Sequence, residues 1–413
     1  MIKDSNGVVD AVDASANPAR RKLILSAGAL TASSILGGHA PAVLAQSKAP
    51  IKIGVLNSFS KVFAALGNGN LNGFNLYLEQ TGGTLGGRKV EIFKEDDEIN
   101  PQVGLQKLKK LVESDQVDIV TGIQASQIAV AAVEYIRQSK AFYLCSGAGV
   151  TALSYTQVPY IFRCSISTNP INATFGDWFY DNVAKEAVLT ASDFAGGRDN
   201  LGEFKSTFVK RGGKVLKEIY PPLGNNDFSA YLADLRNLAA PASFNFYAGT
   251  DAVRFVKQYD EYGLKSRTKL TGSGFMLESD TLPAQGKSAL GALSSLHYAD
   301  TLDNPENKKF VALYRAKYKD FPSVYSEYGW VAANILDEAL KATGGDAKDK
   351  DRLRGAMLAV RLNAPRGPFR FNPITQSPIQ NVYIREVAEI DGRITNKVIQ
   401  TYKDVREPDT KQS

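Results

Sequence analysis

The chain has 413 residues, 44% of them hydrophobic and 22% charged, with a formal net charge of +6. That length exceeds one compact core and points to two domains or lobes. Mean hydropathy is −0.20; no run of about 20 uninterrupted apolar residues reads as a permanent membrane span, and no basic run with interleaved aromatics reads as a nucleic-acid surface.

The first segment stands apart. MIKDSNGVVDAVDASANPA is polar and aperiodic, then ARRKLIL brings Arg20, Arg21 and Lys22 before the small-residue stretch SAGALTASSILGGHAPAVLA. This reads as an export signal over residues 1–45, of the twin-arginine type or the general one, cleaved near Ala45. Its removal takes away four basic and three acidic residues and leaves a charge of about +5. Export places the mature chain in an oxidising compartment, where a bridge between its two cysteines, Cys145 and Cys164, is possible but not required. His297 is the one histidine of the mature chain, which disfavours a His/Cys zinc site and any two-histidine chemistry.

The mature chain opens with IKIGVLNSF, a buried strand, and GNLNGFNLYLEQTGG, a helix that stops at Gly82-Gly83. RKVEIFKEDD is a strand. NPQVGLQKLKKLVESD is a helix, with Asn100 as its cap and Pro101 in its first position. QVDIVTGI, SQIAVAAVEYIRQ and AFYLCSG continue as strand, helix and strand. A second alternation starts after about residue 170, with strands AVLTASD, KVLKEIYPP, SFNFYAG, TKLTGSG and ALSSLHY and helices between them. Two long helices follow, PENKKFVALYRAKY and SEYGWVAANILDEALKATGG, then strand-like RGPFRFNP, QNVYIREVAEI and RITNKVIQTYK. The alternation predicts parallel, doubly wound sheets. Two such α/β units predict a ligand cleft between them.

Several stretches carry candidate chemistry. GIQASQ at 122–127, which holds Gln124 and Ser126, and SGAG at 146–149 follow adjacent strands. Their small residues, hydroxyls and free N–H groups at helix starts suit a carboxylate, although ordinary turns use the same residues. EDDE at 95–98 reads as a strand end and helix entry rather than a metal site. FAGGRDNLG at 194–202 lacks dinucleotide spacing, and no Walker lysine or nucleophile elbow is present. No cofactor and no enzyme activity is expected.

Taken in order, IKIGVLNSFS, KEDDEINPQVGLQKLKKLV, DIVTGIQAS, FYLCSGAG, DFAGGRD, NDFSAYLADL, VYSEYGWVAA and RGPFRFNPITQSPIQNVYIREV resemble the branched-chain amino acid binding family of periplasmic solute-binding proteins, over about residues 51–402. The resemblance implies an α/β fold of two Rossmann-like lobes, the type I periplasmic binding protein fold, joined by three crossovers and closing by hinge motion. It places lobe 1 at 51–168 plus 299–383 and lobe 2 at 169–298 plus 384–413. It implies a periplasmic monomer that passes a small-molecule ligand to the membrane permease of an ABC importer. On this resemblance Ser126 with Gly147, Ala148 and Gly149 holds the ligand carboxylate, and Tyr325 faces the cleft.

Amino-acid binders of the family have a tyrosine near Gly196 and Gly197, an aromatic at Thr250, and near Gly274 an acid for the ligand ammonium; this chain departs at each place. A buried ammonium without a partner costs several kcal/mol. The expected ligand therefore has a carboxylate, no α-ammonium and a flat ring, as in benzoates or cinnamates, with Phe194, Tyr247, Phe275 and Tyr325 around the ring. Glu278, Asp280 and Glu327 are the acids that keep a hydrophobic amino acid open as the alternative. A sensor that presents its ligand to a membrane partner would use the same fold.

Overall fold

The structure, a computed structural model, describes residues 49–410; the export segment expected at 1–45 lies outside them. The first lobe opens with β1 (Ile51–Asn57), α1 (Ala64–Gln80), β2 (Thr84–Leu85) and β3 (Arg88–Asp96). It continues with α2 (Pro101–Lys109), β4 (Ile119–Gly122), α3 (Ser126–Ser139), β5 (Tyr143–Cys145) and β6 (Ile161–Arg163). Its sheet has the order β2-β3-β1-β4-β5-β6. β1 pairs in parallel with β3 and β4, and β4, β5 and β6 follow in parallel. β1 and β4 are apolar almost throughout because helices cover both faces.

The second lobe starts with α4 (Thr168–Asn182), β7 (Glu186–Ala191), α5 (Ala195–Lys210) and β8 (Lys214–Ile219). α6 (Ser229–Asn237), β9 (Ala242–Phe246), α7 (Thr250–Glu261), β10 (Lys269–Ser273), α8 (Leu282–Gln285) and β11 (Leu293–Leu296) follow. The chain then returns to the first lobe, where α9 (Pro305–Tyr318) and α10 (Val324–Ala342) pack on α1 and α11 (Lys350–Ala359) packs on α10. It ends in β12 (Arg361–Ala364), β13 (Gly367–Phe371), β14 (Pro378–Ile390) and β15 (Arg393–Val405). The second sheet runs β12-β13-β14-β11-β10-β9-β7-β8, with β15 on β14. The chain thus passes between the lobes three times. β12 and β13 sit within 299–383, the stretch expected in the first lobe, yet they extend the second sheet as an antiparallel meander onto β14.

Local chemistry explains the entries into these elements. Asn100 caps α2 by accepting from the amides of Gln102 and Val103, with Pro101 in the first turn. The acids of EDDE act structurally. Glu95 pairs with Lys107 and Lys110, both at 2.7 Å. Asp96 accepts from the Phe59 amide at 2.9 Å, and Asp97 from the Ser58 hydroxyl at 2.7 Å. α4 escapes the sequence pattern because Pro170 and Gly176 dilute its apolar stripe; it is buried through Phe175, Trp178 and Phe179.

Candidate functional site

A small cavity of about 40 Å³ lies between the lobes, at the carboxyl ends of strands from both sheets. That is where ligands bind in parallel α/β sheets. The segments after β1, β4 and β5 supply Phe63, Gln124, Ser126, Gly147 and Gly149 from one side. The segments after β7, β9 and β10 supply Phe194, Ala248 and Phe275 from the other.

One end of the cavity is polar. Ser126 is the first residue of α3, and its hydroxyl makes no hydrogen bond among the described residues. Gln124 is 8% exposed, and its Oε1 is buried without a partner. Oxygen and nitrogen of this amide are interchangeable by a flip, so the group can donate to a ligand. A Cβ at Gly147 would lie 2.6 Å from the Ile123 carbonyl oxygen; only glycine lets the two loops approach this closely. The Ala148 amide is spent on the Ile123 carbonyl, at 2.8 Å, whereas those of Gly147 and Gly149 have no partner among the described residues. Arg163 holds the loop from beneath, donating to the carbonyls of Gly149 at 2.9 Å and Val150 at 2.7 Å. The N-terminus of α3 adds a positive dipole end. These groups form a donor-lined site for a carboxylate.

The remainder is apolar. Five rings form a continuous arc: Phe63 to Phe194 at 5.9 Å, Phe194 to Phe246 at 5.9 Å, Phe246 to Phe275 at 6.1 Å, and Phe275 stacked on Tyr325 at 6.0 Å. Thr168 and Asn200 also reach the wall, but their polar atoms are committed. Thr168 donates to Asp199. Asn200 donates to the Gly196 carbonyl at 2.7 Å and accepts from Asn172 at 2.7 Å.

The acids named in the sequence do not face this cavity. Glu278 is paired with Arg385 at 2.8 Å and accepts from the Val324 amide at 2.7 Å. Glu327 is paired with Arg366, whose Nε lies at 2.7 Å, beside a buried His297 that desolvation holds neutral, its pKa lowered to about 3. The carboxylate oxygens of Asp280 are buried without partners and are not on the cavity wall. Where an acid would meet an ammonium near Gly274 stands a cation instead: Arg385 donates to the Gly274 carbonyl at 2.9 Å, and a Cβ there would lie 2.5 Å from its Nη2.

Gln124, Ser126, Gly147, Gly149, Phe194, Phe275 and Tyr325 are thus brought together. Gly196 borders them, since a Cβ on it would come 3.0 Å from the Ser126 hydroxyl. Others belong elsewhere. Tyr247 is stacked on Phe255 at 4.1 Å in the second lobe's core, its hydroxyl donating to Thr190 at 3.0 Å. Gly197 packs against the Ser192 carbonyl, and Thr250 opens α7 on an outer depression with Lys61 and Arg254. Cys145 and Cys164 are both free and buried. Cys145 Sγ contacts the Ala148 carbonyl at 3.4 Å and Cys164 Sγ the Cys145 carbonyl at 3.4 Å, so each thiol is turned to backbone and no bridge forms.

Sequence reasoning missed Phe63, Leu66, Thr168, Asn200, Phe246 and Ala248. Phe246 and Ala248 flank Tyr247, so the error there is one of strand parity, since neighbouring side chains point to opposite faces. Phe63 and Leu66 follow β1 and were accessible to the same strand-end argument that found Ser126.

Comparison with known proteins fits this geometry. The family described as periplasmic binding protein matches residues 50–393. The chain belongs to that family. It is 31% identical over 392 residues to Leu/Ile/Val-binding protein homolog 6 of Brucella melitensis, covering 93% of this chain and 98% of the relative. A solute-binding protein of an ABC transporter from R. palustris, in complex with benzoate, superposes with a TM-score of 0.83 at 31% identity, covering 87% of this chain and 98% of that one. A solute-binding protein from Rhodopseudomonas palustris BisB5, in complex with 3,4-dihydroxybenzoic acid, gives 0.83 at 32% identity, covering 87% and 99%. The type I periplasmic binding fold expected from sequence is the one observed, and the family is one of periplasmic solute-binding proteins serving ABC transporters.

Proposed function

We propose that this chain captures a small aromatic carboxylate, of the benzoate or cinnamate class, between its lobes and delivers it to the membrane permease of an ABC importer. The observation that carries the reading is the division of one cavity into two ends. Ser126, Gln124 and the amides of Gly147 and Gly149 offer donors to a carboxylate, and an arc of five rings offers a slot for its ring. Benzoate and 3,4-dihydroxybenzoic acid, the ligands of two structural relatives, have this chemistry. The family is one of periplasmic solute-binding proteins, which supports reading the chain as a receptor that releases its ligand unchanged.

A second reading, a hydrophobic amino acid, draws on the relatives named Leu/Ile/Val-binding protein homologues. It requires a counter-charge for the ammonium, and Glu278 and Glu327 already serve Arg385 and Arg366. Thermal shift and calorimetry with benzoate, 4-hydroxybenzoate, cinnamate, leucine and valine separate the two. A bound ligand raises the melting temperature by mass action, and stabilisation by leucine or valine alone would overturn the aromatic reading.

A further inference from the structure

Most of the cavity wall is buried. Ser126, Phe275 and Tyr325 are 4%, 6% and 3% exposed. A ligand enters only if contacts between the lobes part, so the contacts that must break decide how fast it leaves. Around the cavity these include Phe63 against Phe194, Phe275 against Tyr325, the Val324 amide on Glu278, and hydrogen bonds from Thr151 to Asp199.

Asp199 projects from α5 of the second lobe. A single oxygen, Oδ2, accepts from the Thr151 amide at 2.9 Å and the Thr151 hydroxyl at 3.1 Å. Thr151 belongs to the first lobe, in the segment after β5. The same oxygen accepts from Thr168 of its own lobe, and the two threonine hydroxyls lie 2.9 Å apart. Thr168 therefore orients the carboxylate before it meets Thr151. Thr151 directly follows Gly149 and Val150, whose carbonyls Arg163 clamps from beneath. The loop that offers amides to the ligand is thus fixed on one side by its own lobe and on the other by Asp199. Burial raises the pKa of this carboxyl above its ordinary value, opposed by the bonds from Thr168 and Thr151.

We infer that Asp199 is a closure latch: a positioning residue that touches no ligand but holds the second lobe onto the carboxylate-binding loop of the first. The inference goes beyond the proposed function, because the latch acts on whatever ligand the cavity holds. Two hydrogen bonds to the carboxylate, from the Thr151 amide and hydroxyl, break when the lobes open, and each contributes to the barrier to release.

The test is stopped-flow release of benzoate and of leucine from the parent chain, Asp199→Ala, Asp199→Asn and Thr151→Val. Asp199→Ala should raise the dissociation rate about thirtyfold, with the association rate within about threefold and the melting temperature of the free protein little changed. Asp199→Asn should recover most of the loss, because its amide oxygen still accepts from the Thr151 amide. Thr151→Val keeps its N–H and should raise the rate about fivefold, which carries the test if Asp199→Ala fails to fold. A second arm needs no ligand: nitroxide labels at Glu134 and Glu261, both exposed and on different lobes, report the interlobe distance in the free chain. Asp199→Ala should shift that distribution to longer distances. If neither benzoate nor leucine binds, the proposed ligand classes fail and the label distances still decide the latch. Unchanged dissociation rates in Asp199→Ala, or an unchanged distance distribution, would overturn it.

Discussion

Replacing Ser126 with alanine tests the carboxylate end of the cavity directly. The Ser126 hydroxyl makes no hydrogen bond among the described residues and gives no side-chain cap to α3. Its removal therefore takes nothing from the free fold, and at 4% exposure it leaves no room for a solvating water to compensate. In the complex it removes one donor to a desolvated carboxylate. A hydrogen bond to a charged partner contributes about 1.5–3 kcal/mol, so affinity should fall roughly ten- to hundredfold. Calorimetry with benzoate reads the loss, and differential scanning of the free variant should show a melting temperature within about 2 °C of the parent. Benzamide, which lacks the charge, should lose far less. A Ser126→Ala variant that binds benzoate within twofold of the parent refutes the assignment of this end to the carboxylate.

Three further outcomes follow from the buried charges and thiols. Asp280 has two buried oxygens without partners, and burial, with Glu278 and then Asp320 adding to it, raises its pKa to about 7. The groups bearing on it are those two acids and the Tyr325 ring, while Arg385 is spent on Glu278. The folded pKa is raised, so the unfolded chain binds fewer protons between the two values; stability should fall as pH rises from about 4 to 7, at up to about 1.4 kcal/mol per unit. Asp280→Asn should flatten that decline in denaturant midpoints measured across this range. Arg366→Met leaves Glu327 buried beside neutral His297 and should cost about 3–5 kcal/mol, read as a lowered denaturant midpoint. Cys145 and Cys164 should resist a thiol reagent in the native chain and react as two thiols on unfolding, and a reductant should leave the melting temperature unchanged.

The periodic parts of the fold were legible and the irregular parts were not. β1, α2 with its Asn100 cap, and the alternation through β5 follow from apolar runs and helix signals that local sequence sets. α4 was not legible, because its stability comes from aromatic packing against α5 and β7–β9 neighbours such as Phe204 and Phe244, and not from its own pattern. In the site, Gln124, Ser126 and Gly147 were found because a strand end followed by a helix start is a local signal. The opposite wall depends on which face each side chain of β9 presents. Tyr247 was chosen where Phe246 and Ala248 face the cavity, and only the pairing of β9 with β7 and β10 fixes that parity. The commitment of Glu278 to Arg385 spans 107 positions in the chain and leaves no local trace.

That commitment also bears on the choice between the two ligand classes. Arg385 donates to the Gly274 carbonyl and to Glu278, so a cation already occupies the strand end where an ammonium would seek an acid. A second cation placed there would meet the guanidinium and find no free carboxylate, a burial cost of several kcal/mol. Asp280 is the one acid of the three named in the sequence whose carboxylate oxygens have no partner among the described residues, and it is off the wall. An amino-acid ligand would have to draw Asp280 into the cavity. Asp280→Asn would then abolish leucine binding, whereas an aromatic carboxylate makes no use of Asp280 and should bind the variant about as well as the parent. Calorimetry of Asp280→Asn with benzoate and leucine therefore reads which end of the ligand, anion alone or anion with ammonium, the cavity is built to hold.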